Sequence, residues 1–278
     1  MNEAHAPSRL IDRDAAAALI EPLTDLVIRA GAAIMAVNRA AMKIEGKDDG
    51  SPVTEADLAA DRIIAEGLAR LVPHIPALSE ERVHLAEPPY DGGFFLIDPL
   101  DGTKEFVAGR GEFTVNIALV SNGTPLLGII GAPALGLIWR GLVGRGAERL
   151  AIGDGGAIVR TESIHTRCLP PPGAPWIAAV SRSHGDARTE AFIDGRPGVV
   201  RLKLGSAVKL GRVAEGAADI YPRLAPTSEW DIAAGHAVVT AAGGRITDAQ
   251  GADVQFGRGR DDFIVPEFIA WGDPAAAR

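Results

Sequence analysis

Asp98-Pro99-Leu100-Asp101-Gly102-Thr103-Lys104-Glu105-Phe106 follows directly on the apolar run Phe94-Phe95-Leu96-Ile97. That run reads as a short buried strand stopping at Asp98, because Pro99 fixes its own φ and pushes the preceding residue towards an extended conformation. Asp98 and Asp101 can then project from one side of the turn, with the Leu100 carbonyl between them. Gly102 lets a ligand approach the backbone closely. Thr103 can cap a following helix whose first N–H groups form an anion site. Carboxylate and carbonyl oxygens beside exposed amides suit a hard cation such as Mg²⁺ bridging to a phosphate. A calcium loop of the D-x-[DN]-x-[DN]-G kind does not fit this spacing. A nucleophilic-aspartate phosphatase would set its acids two apart rather than three. Taken alone, the segment is also an ordinary Asp- and Gly-rich turn, so the rest of the chain must decide.

Upstream, Leu23, Leu26, Val27, Ala30, Ile34 and Val37 recur at helical spacing over residues 21–37. Thr54, with Asp57 three residues on, reads as the capping box of a second helix carrying Ala60, Ile63, Ile64, Gly67, Leu68 and Leu71. Downstream, residues 114–121, 126–131 and 137–143 read as strands separated by Gly, Asn and Pro turns. The Gly-rich stretch from Gly153 to Gly173, with Pro170-Pro171-Pro172, marks a lobe boundary. Beyond it, strands at 177–180 and 199–204 alternate with helices at 206–215 and 231–242. We expect a 1–20 extension, a metal-binding lobe over 21–160 and a substrate lobe over 161–278, folded as one unit.

The 278 residues (29.0 kDa) allow either one large domain or two joined lobes. With 47% hydrophobic and 23% charged residues and a mean hydropathy of +0.12, the composition is that of a soluble globular protein. No apolar run approaches the roughly 20 residues needed to cross a bilayer. The first residues, MNEAHAPSRLIDRD, contain no secretory apolar stretch. A single cysteine, Cys168, excludes a disulfide framework and a cysteine-based zinc site. Net charge −8 and a pI near 5.3 argue against a nucleic-acid polymer as partner. The expectation is a cytoplasmic protein, compatible with loose association at the inner face of a membrane, and with a monomer or a homodimer.

Other acids each have a plain explanation. Glu80-Glu81 can be a solvated loop pair, and Asp57 and Asp231 can be helix-start acids favoured by the dipole. Their joint pattern is more specific. Residues 47–57 (KDDGSPVTEAD), Leu78-Ser79-Glu80-Glu81, Asp98 to Thr103, and Trp230-Asp231-Ile232-Ala233-Ala234-Gly235 stand in the order and spacing of four motifs. In these the chain resembles the lithium-sensitive, Mg²⁺-dependent phosphomonoesterases of the inositol monophosphatase superfamily. Lys104-Glu105-Phe106 stands where inositol phosphatases usually carry Asn-Phe, and resembles the CysQ-type 3'(2'),5'-bisphosphate nucleotidases. Ser181-Arg182-Ser183-His184, Gly205-Ser206-Ala207-Val208-Lys209, Val213 to Gly216 and Tyr221-Pro222-Arg223 agree. The chain departs at Ala207, where a second serine is frequent, and at Val265-Pro266, where Asn-Pro is common.

The resemblance implies a two-lobed, layered α-β-α-β-α sandwich of the inositol monophosphatase and fructose-1,6-bisphosphatase type. It makes Glu80, Asp98, the Leu100 carbonyl, Asp101 and Asp231 the metal ligands, for two Mg²⁺ with a third, weaker ion. Thr103, hydrogen-bonded to Asp57, would orient the attacking water and accept its proton, assisted by Glu80. Substrate contacts would come from Glu80, Leu100, Asp101, Gly102, Thr103, Gly205, Ser206, Lys209, Asp231 and, at a 5'-phosphate, Arg223. His184 would neighbour the adenine or ribose, whereas His236 reads as a packed core residue. The implied reaction is hydrolysis of adenosine 3',5'-bisphosphate to AMP and phosphate, with the sulfated analogue 3'-phosphoadenylyl sulfate as a second substrate. In the family this clears a by-product of sulfate activation, and Li⁺ inhibits. The alternatives are a phosphatase for inositol phosphates or another small phosphomonoester, and a non-catalytic nucleotide- or metal-binding regulator.

Overall fold

The computed structural model describes residues 11–39, 41–42, 44–46, 52–85, 92–183, 185–196, 198–257 and 263–277. Its larger sheet has seven strands in the order Ala77–Ser79, Gly93–Asp101, Thr114–Ser121, Thr124–Ala132, Leu137–Leu142, Gly146–Ile152 and Ile158–Ile164. Only the first pair is parallel, and the rest is an antiparallel meander joined by short turns. Alternation along the strands splits their apolar residues between two cores. Phe95, Ile97, Val115, Ile117 and Ile129 pack against helices Ile20–Ala36 and Glu55–Leu71. Phe94, Leu96, Ala118, Val120 and Ile130 face helices Val208–Ala214 and Glu229–Ala241.

Those two helices lie on a second sheet of five strands, in the order Val200–Leu204, Ile177–Ser181, Ile220–Arg223, Phe268–Trp271 and Arg245–Thr247. Its outer face packs on helix Ala187–Asp194 through Ile193, Ile220, Ile269 and Trp271. The layers therefore run α-β-α-β-α, as expected. Close approach of the central helix depends on Gly128, where a Cβ would lie 2.1 Å from the Ala234 carbonyl oxygen.

Two boundaries differ from the sequence reading in a way that matters. The strand expected to stop at Asp98 continues to Asp101, past Pro99. Asp98 pairs with Asn116 and Asp101 with Thr114, so one strand carries an extra residue between the pairs. This is a bulge, a place where a sheet tolerates proline. Residues three apart on a regular strand face opposite sides of the sheet. The bulge instead brings Asp98 and Asp101 to one cavity.

The helix expected from Ser206 begins at Val208, with Ala207 as N-cap, because Ser206 adopts φ +53° and cannot belong to it. The helix expected from Asp231 begins earlier, at Glu229, and Ser228 forms the capping box with Asp231. Strand Ile158–Ile164 belongs to the larger sheet, so a division at residue 160 falls inside it. Within the expected 1–20 extension, Arg13–Ala17 is helical and buries Ala16. No helix among the described residues is long and apolar enough to cross a membrane.

Candidate active site

Where the two sheets and the central helices meet lies a cavity of about 220 Å³ lined by Glu80, Asp98, Leu100, Asp101 and Asp231. Three chain segments deliver these acids. Ser79 pairs with Ile97 in the parallel ladder, so Glu80 comes in beside Asp98. Behind Glu80, the buried Asp61 accepts from Ser79 Oγ at 2.6 Å and from Arg82 Nη2 at 3.2 Å, and pairs ionically with that guanidinium. The residues bracketing Glu80 are thus tied to helix Glu55–Leu71. Asp98 is 1% exposed, and its Oδ1 accepts from the Leu100 amide at 3.1 Å.

Asp57 closes the capping box of its helix, its Oδ2 accepting from the Thr54 amide at 2.8 Å and from Thr54 Oγ1 at 2.7 Å. Its Oδ1 accepts from Thr103 Oγ1 at 3.1 Å, the hydrogen bond expected from the sequence. The same hydroxyl lies 3.2 Å from the Leu100 carbonyl oxygen, so one proton is shared between two acceptors. Gly102, at φ +89°, forms the left-handed turn ahead of the short helix Thr103–Val107.

The opposite wall comes from the second half of the chain. Asp101 Oδ2 accepts from Ser206 Oγ at 2.6 Å and from the Ala207 amide at 2.7 Å. Because Ser206 has spent its proton there, Thr114 Oγ1, 2.5 Å away, donates to Ser206 Oγ. Gly205 is not on the cavity wall, and its amide donates to Glu112 Oε2 at 2.8 Å. That amide is therefore already occupied by a protein acceptor. Glu112 also takes the Arg182 guanidinium at 2.8–3.1 Å. Lys209 and Arg223 line the cavity. Lys209 Nζ folds back onto the Ser206 carbonyl at 2.6 Å and lies 5.2 Å from the Tyr221 ring centre. Asp231 Oδ2 accepts from Thr227 Oγ1 and from the Ser228 amide. His184 lies outside the described residues, as do Lys47 to Ser51 of the first motif. His236 is 6% exposed, edge-on to Phe256 and away from the cavity wall.

The electrostatics are those of a crowded acidic cluster. Burial, then Glu80, Asp101, Asp231 and Asp57, push the Asp98 carboxyl well above the usual carboxylate range. Burial and Asp101 push Asp231 up to about 6, against the Thr227 hydrogen bond and Arg223. Burial raises Asp57 as well, against its hydrogen bonds from Thr54 and Thr103. Like charges gathered in a poorly solvated place cost free energy unless a cation neutralises them. The donors are all oxygen, which suits a hard dication. Among the described residues, no three His, Cys, Asp or Glu side chains are arranged so that they could hold a metal ion as they stand. Asp101 and Asp231 are each held through Oδ2 by protein donors. The residues fit Mg²⁺ in charge and donor type.

Sequence reading did not find Glu112, Thr114, Thr227 or Asp61. Thr114 and Ser206 are 92 residues apart, and Glu112 and Gly205 are 93 apart. No local pattern signals such pairs. Ser228-x-x-Asp231 does carry a capping-box signal for the Asp231 helix.

A family model described as the inositol monophosphatase family matches residues 16–276. The 3'(2'),5'-bisphosphate nucleotidase CysQ of Escherichia coli O157:H7 is 39% identical over 259 residues, covering 90% of this chain and 98% of the relative. The protein of the same name from Salmonella typhimurium is also 39% identical, with the same coverage. Among solved structures, CysQ from Bacteroides thetaiotaomicron, a bacterial member of the inositol monophosphatase family, superposes with a TM-score of 0.72 at 33% identity. That match covers 90% of this chain and 96% of the other.

Proposed function

The chain belongs to the inositol monophosphatase family, and we infer that within that family it is a 3'(2'),5'-bisphosphate nucleotidase. The observation that carries the reading is near-full-length similarity to nucleotidases of that name, in a chain whose Glu80, Asp98, Asp101 and Asp231 line one cavity. The reaction is hydrolysis of adenosine 3',5'-bisphosphate to AMP and phosphate, with 3'-phosphoadenylyl sulfate as a second substrate. We assign the enzyme to the cytoplasm.

Glu80, Asp98, the Leu100 carbonyl, Asp101 and Asp231 would hold two to three Mg²⁺. Bound there, Mg²⁺ would neutralise the phosphoryl oxygens and acidify the attacking water. The chain's own residues do the rest. Asp57 Oδ1 holds the Thr103 hydroxyl at 3.1 Å, so that Thr103 Oγ1 can orient a water and pass its proton towards Asp57. A buried Asp57 with a raised pKa is a better proton acceptor than an ordinary carboxylate. The amides of Gly102 and Thr103 face the phosphate being cleaved. Arg223 and Lys209, the cations on the far wall, suit the second phosphate. Water attacks phosphorus directly, and no enzyme-bound phosphate forms.

The test is kcat/KM with Mg²⁺ for adenosine 3',5'-bisphosphate against inositol 1-phosphate. A strong preference for the nucleotide, with inhibition by Li⁺, is expected. Preference for the inositol ester would make this an inositol phosphatase. No phosphate release from any candidate would favour a binding regulator.

A further inference from the structure

Asn116 is the polar residue of an otherwise apolar stretch of strand, between Val115 and Ile117. It is 1% exposed, and neither its Oδ1 nor its Nδ2 has a hydrogen-bond partner. Asparagine is disfavoured in strands, and an unpaired buried amide carries the full cost of its desolvation. A valine would fit the strand better on both counts.

Its position shows what the amide faces. Asn116 is paired directly across the antiparallel ladder from Asp98. Side chains so paired stand on one face with Cβ atoms about 4.5–5.5 Å apart. That face is the one of Phe94, Leu96, Ala118 and Val120, which packs on the helix carrying Asp231. Asn116 does not reach the cavity wall, so it stands behind Asp98. Around Asp98 the neighbouring charges are Glu80, Asp101, Asp231 and Asp57. A neutral donor is the group such a carboxylate accepts without further repulsion.

We propose that Asn116 is a positioning residue for Asp98: its Nδ2–H, unpartnered in the cation-free protein, donates to the Asp98 carboxylate from behind once a divalent cation is bound and fixes the direction in which that carboxylate presents its oxygens to the cation. The proposal deepens the reading above and rests on it for the ligand role of Asp98. The amide is carried at a cost to the cation-free fold because it serves the loaded site. One substitution should therefore move two measurements in opposite directions, which a merely structural residue would not do.

In EDTA, Asn116→Val melts at or above the temperature of the wild-type protein. Titration of Mg²⁺ into nucleotide-free protein, followed by calorimetry, gives an affinity weakened by about tenfold or more, the range for residues that orient metal ligands. KM for the nucleotide at saturating Mg²⁺ stays unchanged. Should valine be too large for the protein to fold, Asn116→Ala only removes atoms and gives the same affinity reading. The two readings fail separately. Wild-type protein that binds Mg²⁺ but releases no phosphate overturns the nucleotidase activity. Equal Mg²⁺ affinity in wild type and both variants overturns the role of Asn116.

Discussion

Asp98 concentrates the conflict between stability and function. It is buried at the end of a regular stretch of strand, and every large influence on its carboxyl raises the pKa. A folded pKa above the unfolded one favours the protonated carboxyl. In the cation-free protein, this group therefore costs stability as pH rises through that raised value. Asp98→Asn keeps the size of the side chain and removes the charge. In EDTA at neutral pH the variant should melt above the wild-type protein, as scanning fluorimetry would read. Hydrolysis with Mg²⁺ should fall about a thousandfold, about 4 kcal/mol of transition-state stabilisation. A variant that lost stability and activity together would show that Asp98 serves the fold instead.

Helix Glu229–Ala241 shows how an element joins the site to the core. It is buried nearly all round, from Trp230 to Val239, as a helix sandwiched between two sheets must be. One turn beyond Asp231, it carries His236 into the core, with Nδ1 unpartnered. Burial lowers this imidazole from 6.5 to about 4, against a small opposing influence of Asp253. Between those values the unfolded chain takes up a proton that the folded chain refuses. Its contribution is fully present above pH 6.5 and is lost as pH falls towards 4, up to about 3 kcal/mol at about 1.4 per unit. His236→Leu should remove this loss. Urea unfolding in EDTA at pH 7 and pH 4.5 would then show the variant gaining on the wild type at the lower pH. An equal change with pH in both proteins would rule His236 out. The helix itself, the Thr54–Asp57 capping box and the meander strands were legible because helical and strand periods and caps are local signals. The bulge between Asp98 and Asp101 was not, since it depends on pairing with Thr114 and Asn116 on the neighbouring strand. The same holds for Asp61, whose partner Ser79 lies 18 residues away.

On the scale of the whole molecule, the cavity is a seam between the sheets rather than a pocket in one of them. Phe94 and Leu96 of the larger sheet share one continuous core with Ala179, Tyr221 and Phe268 of the smaller. Across the seam, Asp101 takes Ser206 Oγ and the Ala207 amide, while Glu112 holds Arg182 and the Gly205 amide. A cation bound among Glu80, Asp98, Asp101 and Asp231 would draw on acids from both halves of the chain. Its binding free energy should therefore stabilise the whole fold, not one lobe. At a Mg²⁺ concentration a hundredfold above Kd the gain over protein in EDTA is about 2.7 kcal/mol. For a chain of this size that raises Tm by about 5 °C. Calorimetric melting should show one transition in both conditions, because one hydrophobic core runs through both halves of the chain. Two transitions in EDTA that merge with Mg²⁺ would mean that the cation, rather than the shared core, joins the halves. The same Tm gain in Asp98→Asn would place the responsible Mg²⁺ outside the cavity, since that variant lacks the acid at its centre.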